Sequence, residues 1–420
     1  MFIVCPVLAQ DDTGSNSDAG GESGSPRAEE GALPATASVL PSNVDAWGLP
    51  VLTTKPLTFV GGTSYAQDAN LFKTPTASAD TITTTGLGLR VNKPYSLQVF
   101  QFNINKTYNR YSTFSYLNNA ALDYRAAWQW SLTPRISGTM SRDYRESLVP
   151  FQEISGSTSR NLRTSEINAF SADAWVTGGW HLLGSINKSA QRSGQSVLAS
   201  PDTFSLAREL GGRFLALSGN SITFTQRSTN GGYLNASAAT PVLTANGFRR
   251  EESEFRGNWR LTGKSTVSGR IAWFEHRQSA SSQYDVAGLV GDVTYLWLPT
   301  ATLQLSLKGQ RTLTPTPDPV YTKVVNTVYS LSPTWTMSSK TALRLRLDSS
   351  RYAYGGAGTT PLVGPARVDT LNTAELGMSW AALRSLTLDA SLQWQQRHSN
   401  SIVPIGFDDT VAKVSASVAF

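Results

Sequence analysis

Hydrophobicity that alternates residue by residue, again and again, most limits the folds open to this chain. Leu343, Leu345 and Leu347 interleave with Arg344, Arg346 and Asp348, and Leu386, Leu388, Ala390, Leu392 and Trp394 interleave with Thr387, Asp389, Ser391, Gln393 and Gln395. The same period of two sets Leu122, Tyr124, Ala126, Trp128 and Trp130 against Asp123, Arg125, Ala127 and Gln129. It also sets Leu303, Leu305 and Leu307 against Gln304, Ser306 and Lys308. Successive side chains of a strand point to opposite faces, so each run predicts a strand with one apolar and one wet face. Ser, Thr, Gly, Asn, Gln and aromatic residues are plentiful and only 16% of residues are charged, which disfavours an all-α fold. The longest apolar stretch, Phe2 to Ala9, is far short of the roughly 18 to 20 residues of a spanning helix.

The connections add a second constraint. Short ones sit beside aromatic or apolar residues: Trp130 to Arg135, Thr177 to Trp180, Leu217 to Ser221, Leu261 to Ser265, Trp297 to Thr300, Trp335 to Lys340 and Trp380 to Arg384. Between them lie longer polar stretches at Arg145 to Arg163, Lys188 to Asp202, Ser228 to Gly247, Leu313 to Val324, Ser350 to Arg367 and Arg397 to Asp408. A soluble sandwich has no reason to make every second loop long. A transmembrane barrel has short periplasmic turns, longer outer loops and aromatic girdles at both interfaces. Trp130, Trp180, Trp259, Trp297, Trp335 and Trp380 are expected in the inner girdle, and Tyr65, Tyr108, Tyr144, Tyr352 and Trp394 in the outer one.

The expected fold is an all-β, antiparallel, up-and-down transmembrane β-barrel of about 18 strands in the outer membrane, with 16 as the fallback because pairing is blurred around Pro201 to Phe224 and Gly231 to Arg256. Three regions are expected. Residues 1–9, MFIVCPVL and Ala9, read as the remnant of a secretory signal, with a lipidated Cys5 as the alternative. Residues 10–54 read as a disordered, acidic periplasmic leader able to plug a lumen. Residues 55–420 read as the barrel. Before Lys55 there are seven acids and one base, Arg27; of the 36 Lys and Arg and 30 Asp and Glu in the whole chain, 35 bases and 23 acids therefore follow. Val414, Val418 and Phe420 share one face of a closing strand with Ala412 and Ala416. This terminal pattern is similar to the signal read by the barrel-assembly machinery.

Parity assigns Asp123, Arg125, Arg256, Arg260, Arg270, Lys308, Arg344, Arg346, Asp348 and Lys413 to the lumen, because a lysine or arginine at lipid mid-depth costs about 2–4 kcal/mol. These ten are the candidate substrate-binding residues. A basic, hydroxyl-rich pore attracts anions, including acidic sugars; the competing reading is that the charges only brace a wide barrel. No catalytic set emerges. His181, His276 and His398 lie far apart, with no Gly-x-Ser-x-Gly elbow and no His-x-x-x-His spacing. A lipase-like role for His276 beside Glu275 is the weakest alternative, against an interfacial histidine. Asp285, Asp292, Asp408 and Asp409 lack calcium-loop spacing. Neither a metal nor a cofactor is expected, and arginines that alternate with leucine do not read as a nucleic-acid surface.

Tyr65-Ala-Gln-Asp68-Ala-Asn70-Leu71-Phe72, then Ser78, Asp80 and Gly86, resembles the outer-membrane barrels encoded with exopolysaccharide biosynthesis, the methanolan-type EpsL family. Tyr124, Trp128, Trp130, Leu132 and Gly138, and later Gly231-Gly-Tyr233, continue the likeness over most of Leu57 to Phe420. The resemblance implies passage of a newly made polysaccharide through the outer membrane, and brings no catalytic residues. The expected function is thus an export channel that threads an exopolysaccharide through a polar, basic lumen. The alternative is a general or anion-selective diffusion porin, whose mark would be a long inward-folded loop. Expected partners are outer-membrane lipid and lipopolysaccharide, the assembly machinery, the polysaccharide and a periplasmic export partner.

Overall fold

A computed structural model describes residues 56–151, 158–194, 202–234, 247–279, 281–316, 320–356, 358 and 364–420. The expected leader and signal remnant lie outside the described residues. Eighteen strands follow one another: β1 (Leu57–Asp68), β2 (Asp80–Tyr95), β3 (Gln98–Tyr111), β4 (Asn119–Thr133), β5 (Ile136–Leu148) and β6 (Leu162–Thr177). Then come β7 (Trp180–Ser193), β8 (Thr203–Leu215), β9 (Ser221–Tyr233), β10 (Phe248–Thr262), β11 (Ser265–Gln278) and β12 (Val286–Trp297). The last six are β13 (Leu303–Pro315), β14 (Lys323–Thr336), β15 (Thr341–Gly355), β16 (Val368–Ala381), β17 (Leu386–Ser399) and β18 (Phe407–Ala419). Every strand pairs antiparallel with its sequence neighbours, and β1 also pairs with β18, Val60 opposite Ala419 and Asp68 opposite Val411. The sheet therefore closes on itself and has no edge to satisfy in lipid. The blurred region resolves into β8, β9 and β10 in continuous register, so the fallback of 16 is not needed.

Burial tells the two faces apart. On β1, Leu57, Phe59 and Tyr65 are 46%, 58% and 47% exposed, whereas Thr58, Ser64 and Asp68 on the other parity are 1%, 8% and 5% exposed. The exposed apolar face is the outer wall and the buried polar face is the lumen. Trp180, Trp259, Trp297, Trp335 and Trp380 are all exposed on the outer wall near the short turns, and Trp130 stacks on Phe170 at 5.6 Å. Tyr65, Tyr108 and Trp394 are exposed on the outer wall nearer the long loops, and Tyr144 stacks on Tyr124 at 5.1 Å. Tyr352 departs from the expected outer girdle. It shares the inward parity of Arg344, Arg346 and Asp348 and is buried on the lumen side.

At the short-turn end, Gly178 (φ 55°) and Gly219 (φ 82°) adopt left-handed backbone that other residues reach only at a steric cost. Register shifts at Ser131/Thr133, Trp175/Thr177 and Arg260/Thr262 lie beside these turns and add local twist. At the other end the strands run on past the lipid. They are 12–16 residues long, and about 9–11 suffice to cross. Stretches that read as polar loops are consequently strand in part: β7 continues to Ser193 and β9 to Tyr233. Backbone pairing needs no apolar side chains once the chain is in water.

Candidate functional site

All ten predicted lumen residues lie on the inward parity of their strands, but they fall into different surroundings. On β4 and β5, Arg125 pairs with Asp143 at 3.3 Å and Asp123 with Arg145 at 3.8 Å, a crossed and well-solvated set. Lys308 stands between Thr294 and Ser330 in register. Arg260 lies near the short-turn end, where its backbone N–H donates to Asn220 Oδ1 at 2.8 Å. Arg346 pairs with Asp348 at 2.5 Å.

Across β8 to β12 the lumen wall carries a continuous ladder of ions. Glu209 and Arg227 are register partners bonded at 2.5 Å, and Arg227 reaches Glu252 at 3.8 Å. Arg270 donates to Glu252 and Glu254 at 3.0 Å each and to Asp292 at 2.7 Å. Arg256 lies directly opposite Arg270, a like-charge pairing that Glu254 relieves by holding Arg256 as well, at 2.7 Å. Apart from the half-exposed Arg256, these side chains are largely buried. The sequence reading singled out Arg256 and Arg270 and missed Glu209, Arg227, Glu252, Glu254 and Asp292. This corrects the expectation of a basic lumen: on this wall acids balance bases, because the same alternation that turned the arginines inward turned the carboxylates inward with them. Glu252 and Glu254 share a parity with Arg256, which was the available signal.

The wall from β15 to β18 differs. One register row runs Arg344, Gly377, Ser391, Lys413, two cations with only small residues between them, and Arg346 opposite Glu375 lies in the next row. Among the described residues neither Arg344 nor Lys413 has a carboxylate within 4 Å. At about 4.8 Å per strand the two cations are roughly 14 Å apart. Long cationic side chains over Gly377 and Ser391, with Glu375 and Asp389 nearby, can offer charge and hydrogen bonds to a passing polar molecule without being consumed in a lock.

The outer mouth is built by the stretch that carried the family resemblance. Asn70 donates its backbone N–H to Asp68 Oδ1 and Asp409 Oδ1, both at 2.9 Å, and its side-chain amide to the carbonyls of Thr74 (2.7 Å) and Asp408 (3.0 Å). Lys73, at φ 52°, places its ammonium between Asp68 and Asp409. The carboxylate of Asp409 is thus taken by protein groups rather than left for calcium, and no metal-holding cluster occurs among the described residues. This latch presents Leu71 and Phe72 to Leu117, Val149 and Phe151, packed with Ile82 and Tyr111 of the lumen face. Phe72 meets Phe114 and Phe151 edge to face at 4.7 and 4.8 Å. Asp80, at the head of β2 beyond the lipid, accepts from the backbone N–H groups of Thr81, Thr113 and Phe114. Burial works against its ionisation, but these donors more than offset that and hold its carboxyl below the usual range.

A second lumen-side cluster of Tyr321, Val324, Tyr352 and Tyr354 lies farther round the rim. Beside it Asp369 is fully buried between Arg367 and Arg397, each at 2.6 Å, with Arg367 over the Tyr354 ring at 4.2 Å. His276 is not interfacial. It is buried on the lumen parity and stacked on Phe248 at 5.0 Å, because β11 alternates it with the lipid-facing Trp273. Asp173 joins His181 (2.7 Å) and Arg213 at the inner end of the lumen, a contact across β6, β7 and β8 with no local sequence signal.

Residues 261–420, the last 160 of the 420, match the family described as "Putative beta-barrel porin 2". Similar solved structures include OpdK of Pseudomonas aeruginosa with vanillate (8% identity, 87% of this chain and 99% of that one, TM-score 0.49). They also include a mutant of the ferric enterobactin receptor PfeA of Pseudomonas aeruginosa (10%, 86% and 80%, 0.47) and the siderophore receptor PirA of Acinetobacter baumannii (7%, 88% and 81%, 0.46). No curated protein matches the chain. A closed barrel with an apolar outer belt, aromatic girdles and a last 160 residues similar to barrel porins is an outer-membrane β-barrel of channel-like architecture.

Proposed function

We propose that this channel is the exit conduit for an exopolysaccharide. The observation that carries the reading is the chemistry of the lumen: charges locked to one another along β8–β12, with hydroxyl and amide groups and a few uncommitted ions elsewhere. A polymer of hydroxyl-rich sugars needs many weak hydrogen-bonding sites that replace its hydration in turn, since tight sites would stall it. Supporting this are the Asp68, Asn70, Leu71 and Phe72 resemblance and the mouth those residues build. No reaction is assigned to the lumen. His276 is buried on the lumen face, which weighs against a barrel lipase. Loss of the gene is expected to strip polymer from the cell surface; unchanged surface polymer would refute export.

A diffusion porin is the second reading, favoured by one observation. Val149 and Phe151, from the β5–β6 connection, fold onto the lumen-side cluster as a porin's constricting loop would. Planar bilayers separate the two. Steady, large, open conductance supports the porin, and a closed or intermittent barrel supports the exporter.

A further inference from the structure

The excess of bases also has an outward share. One register row on the outer wall runs Arg142, Asn168, Lys188, Leu206, Asn230, Arg249 from β5 to β10. In the next row toward the periplasm, Arg208 sits between Ile186 and Ser228, diagonal to Lys188. The end members of the long row are neutralised: Arg142 bonds Glu166 (3.3 Å) and the Tyr124 hydroxyl (3.0 Å), and Arg249 bonds Glu251 (2.7 Å). Lys188, Arg208 and, higher on β7, Arg192 are different. Among the described residues none of the three has a carboxylate within 4 Å, and the nearby stretches 195–201 and 235–246 contain no acid in sequence.

Depth gives this patch its meaning. Lys188 is eight residues above Trp180 at the inner rim. At about 3.3 Å per residue and a tilt of roughly 40°, that is a climb of about 20 Å, near the top of an apolar band about 25 Å tall. Below and around the bases lie exposed Phe170, Ile186, Leu210 and Phe224, an acyl-chain surface. Level with the bases are the amides of Asn168 and Asn230. Cations turned toward hydrocarbon, with no carboxylate among the described residues to hold them, call for a counter-ion from the lipid.

We propose that Lys188, Arg192 and Arg208 form a binding site for the phosphates of a phosphorylated glycolipid of the outer leaflet, of the lipid A type, with its acyl chains on the Phe170–Phe224 surface and Asn168 and Asn230 on its sugars. The amphiphilic ligand matches the amphiphilic patch: two rows of bases and amides directly above aliphatic and aromatic residues. The site is separate from the lumen and independent of what the lumen carries.

The test uses the full chain in phosphatidylcholine nanodiscs doped with diphosphoryl lipid A, dephosphorylated lipid A or phosphatidylglycerol, with bound lipid read by native mass spectrometry. Wild type is expected to retain diphosphoryl lipid A over the other two. The K188Q/R208Q variant should lose about thirtyfold in retention, the effect of two interfacial cations, while K188R/R208K keeps it. Retention of dephosphorylated lipid A or phosphatidylglycerol equal to that of the diphosphoryl form overturns the proposal, as does full retention by the glutamine variant. Should that variant fail to fold, the three-lipid comparison on wild type decides alone.

Discussion

The two charged walls of the lumen are made of the same residue types and do opposite things. From β8 to β12, Arg227 and Arg270 are each held by two or three carboxylates, and the whole ladder is drawn into the wall. From β15 to β18, Arg344 and Lys413 stand at the two ends of one row, with Gly377 and Ser391 between them and no carboxylate within 4 Å among the described residues. Composition cannot tell these apart; only which residue lands opposite which can. The first wall is cross-braced, whereas the second leaves two cations outside any direct ion pair among the described residues.

The sharpest way to break this contrast is to remove Arg270. Arg270→Ala takes from Glu252, Glu254 and Asp292 the cation they share, leaving Arg227 at 3.8 Å to Glu252 and Arg256 to Glu254, and a loss of about 3–5 kcal/mol is expected from such a broken buried set. Urea unfolding in detergent, followed by heat-modifiable gel mobility, measures it. Arg270→Lys should recover only part, because an ammonium cannot reproduce the fork to three acids. If Arg270→Ala is as stable as wild type, the ladder is not a brace.

The mouth offers a third region for comparison. Phe72→Ala removes the ring that joins Leu117, Val149 and Phe151, and a buried Phe→Ala change costs about 3–5 kcal/mol when the whole fold depends on it. Here the loss should stay local. Unfolding of the barrel should be nearly unchanged, while proteolysis within 112–118 and open-channel conductance both rise. Unchanged conductance would place this cluster off the permeation path.

On the β15–β18 wall the expected stability effect is small and the functional one is not. R344Q/K413Q should stay within about 0.5 kcal/mol of wild type, as changes away from buried networks do. Its reversal potential in a salt gradient should shift toward cation preference. An unaltered reversal potential would mean that ions do not pass this wall.

The smallest effect concerns pH. Asp80 is held below its ordinary value of 3.8, so its contribution is fully present above that value and is lost as pH falls through its lower folded value. Hydrogen exchange at Thr113 and Phe114 should therefore stay slow at neutral pH and quicken only in strong acid. Asp80→Asn should quicken it at all pH values.

Much of this was legible in the sequence, for particular reasons. Leu343, Leu345 and Leu347 against Arg344, Arg346 and Asp348 fix which face meets lipid, because a one-residue slip would put arginine there. Tyr352 shares that parity, and following it to the end of β15 would have placed the ring inside; its aromatic type alone suggested a girdle. Strand ends are not legible where β7 and β9 leave the membrane, since polarity no longer marks pairing there. The role of the Asp68 to Lys73 stretch was hidden because Asp409, its partner, is more than 300 residues away.

Sequence by itself determined a closed, lipid-seated barrel of about eighteen strands, since alternation and turn spacing are local and lipid admits few ways to satisfy a backbone. Tertiary structure alone decided which charges pair directly and which stand apart. A strand's period says which way a side chain points, but its counter-ion depends on the register of neighbouring strands and on loops that fold back over the rim, and no single segment contains that information.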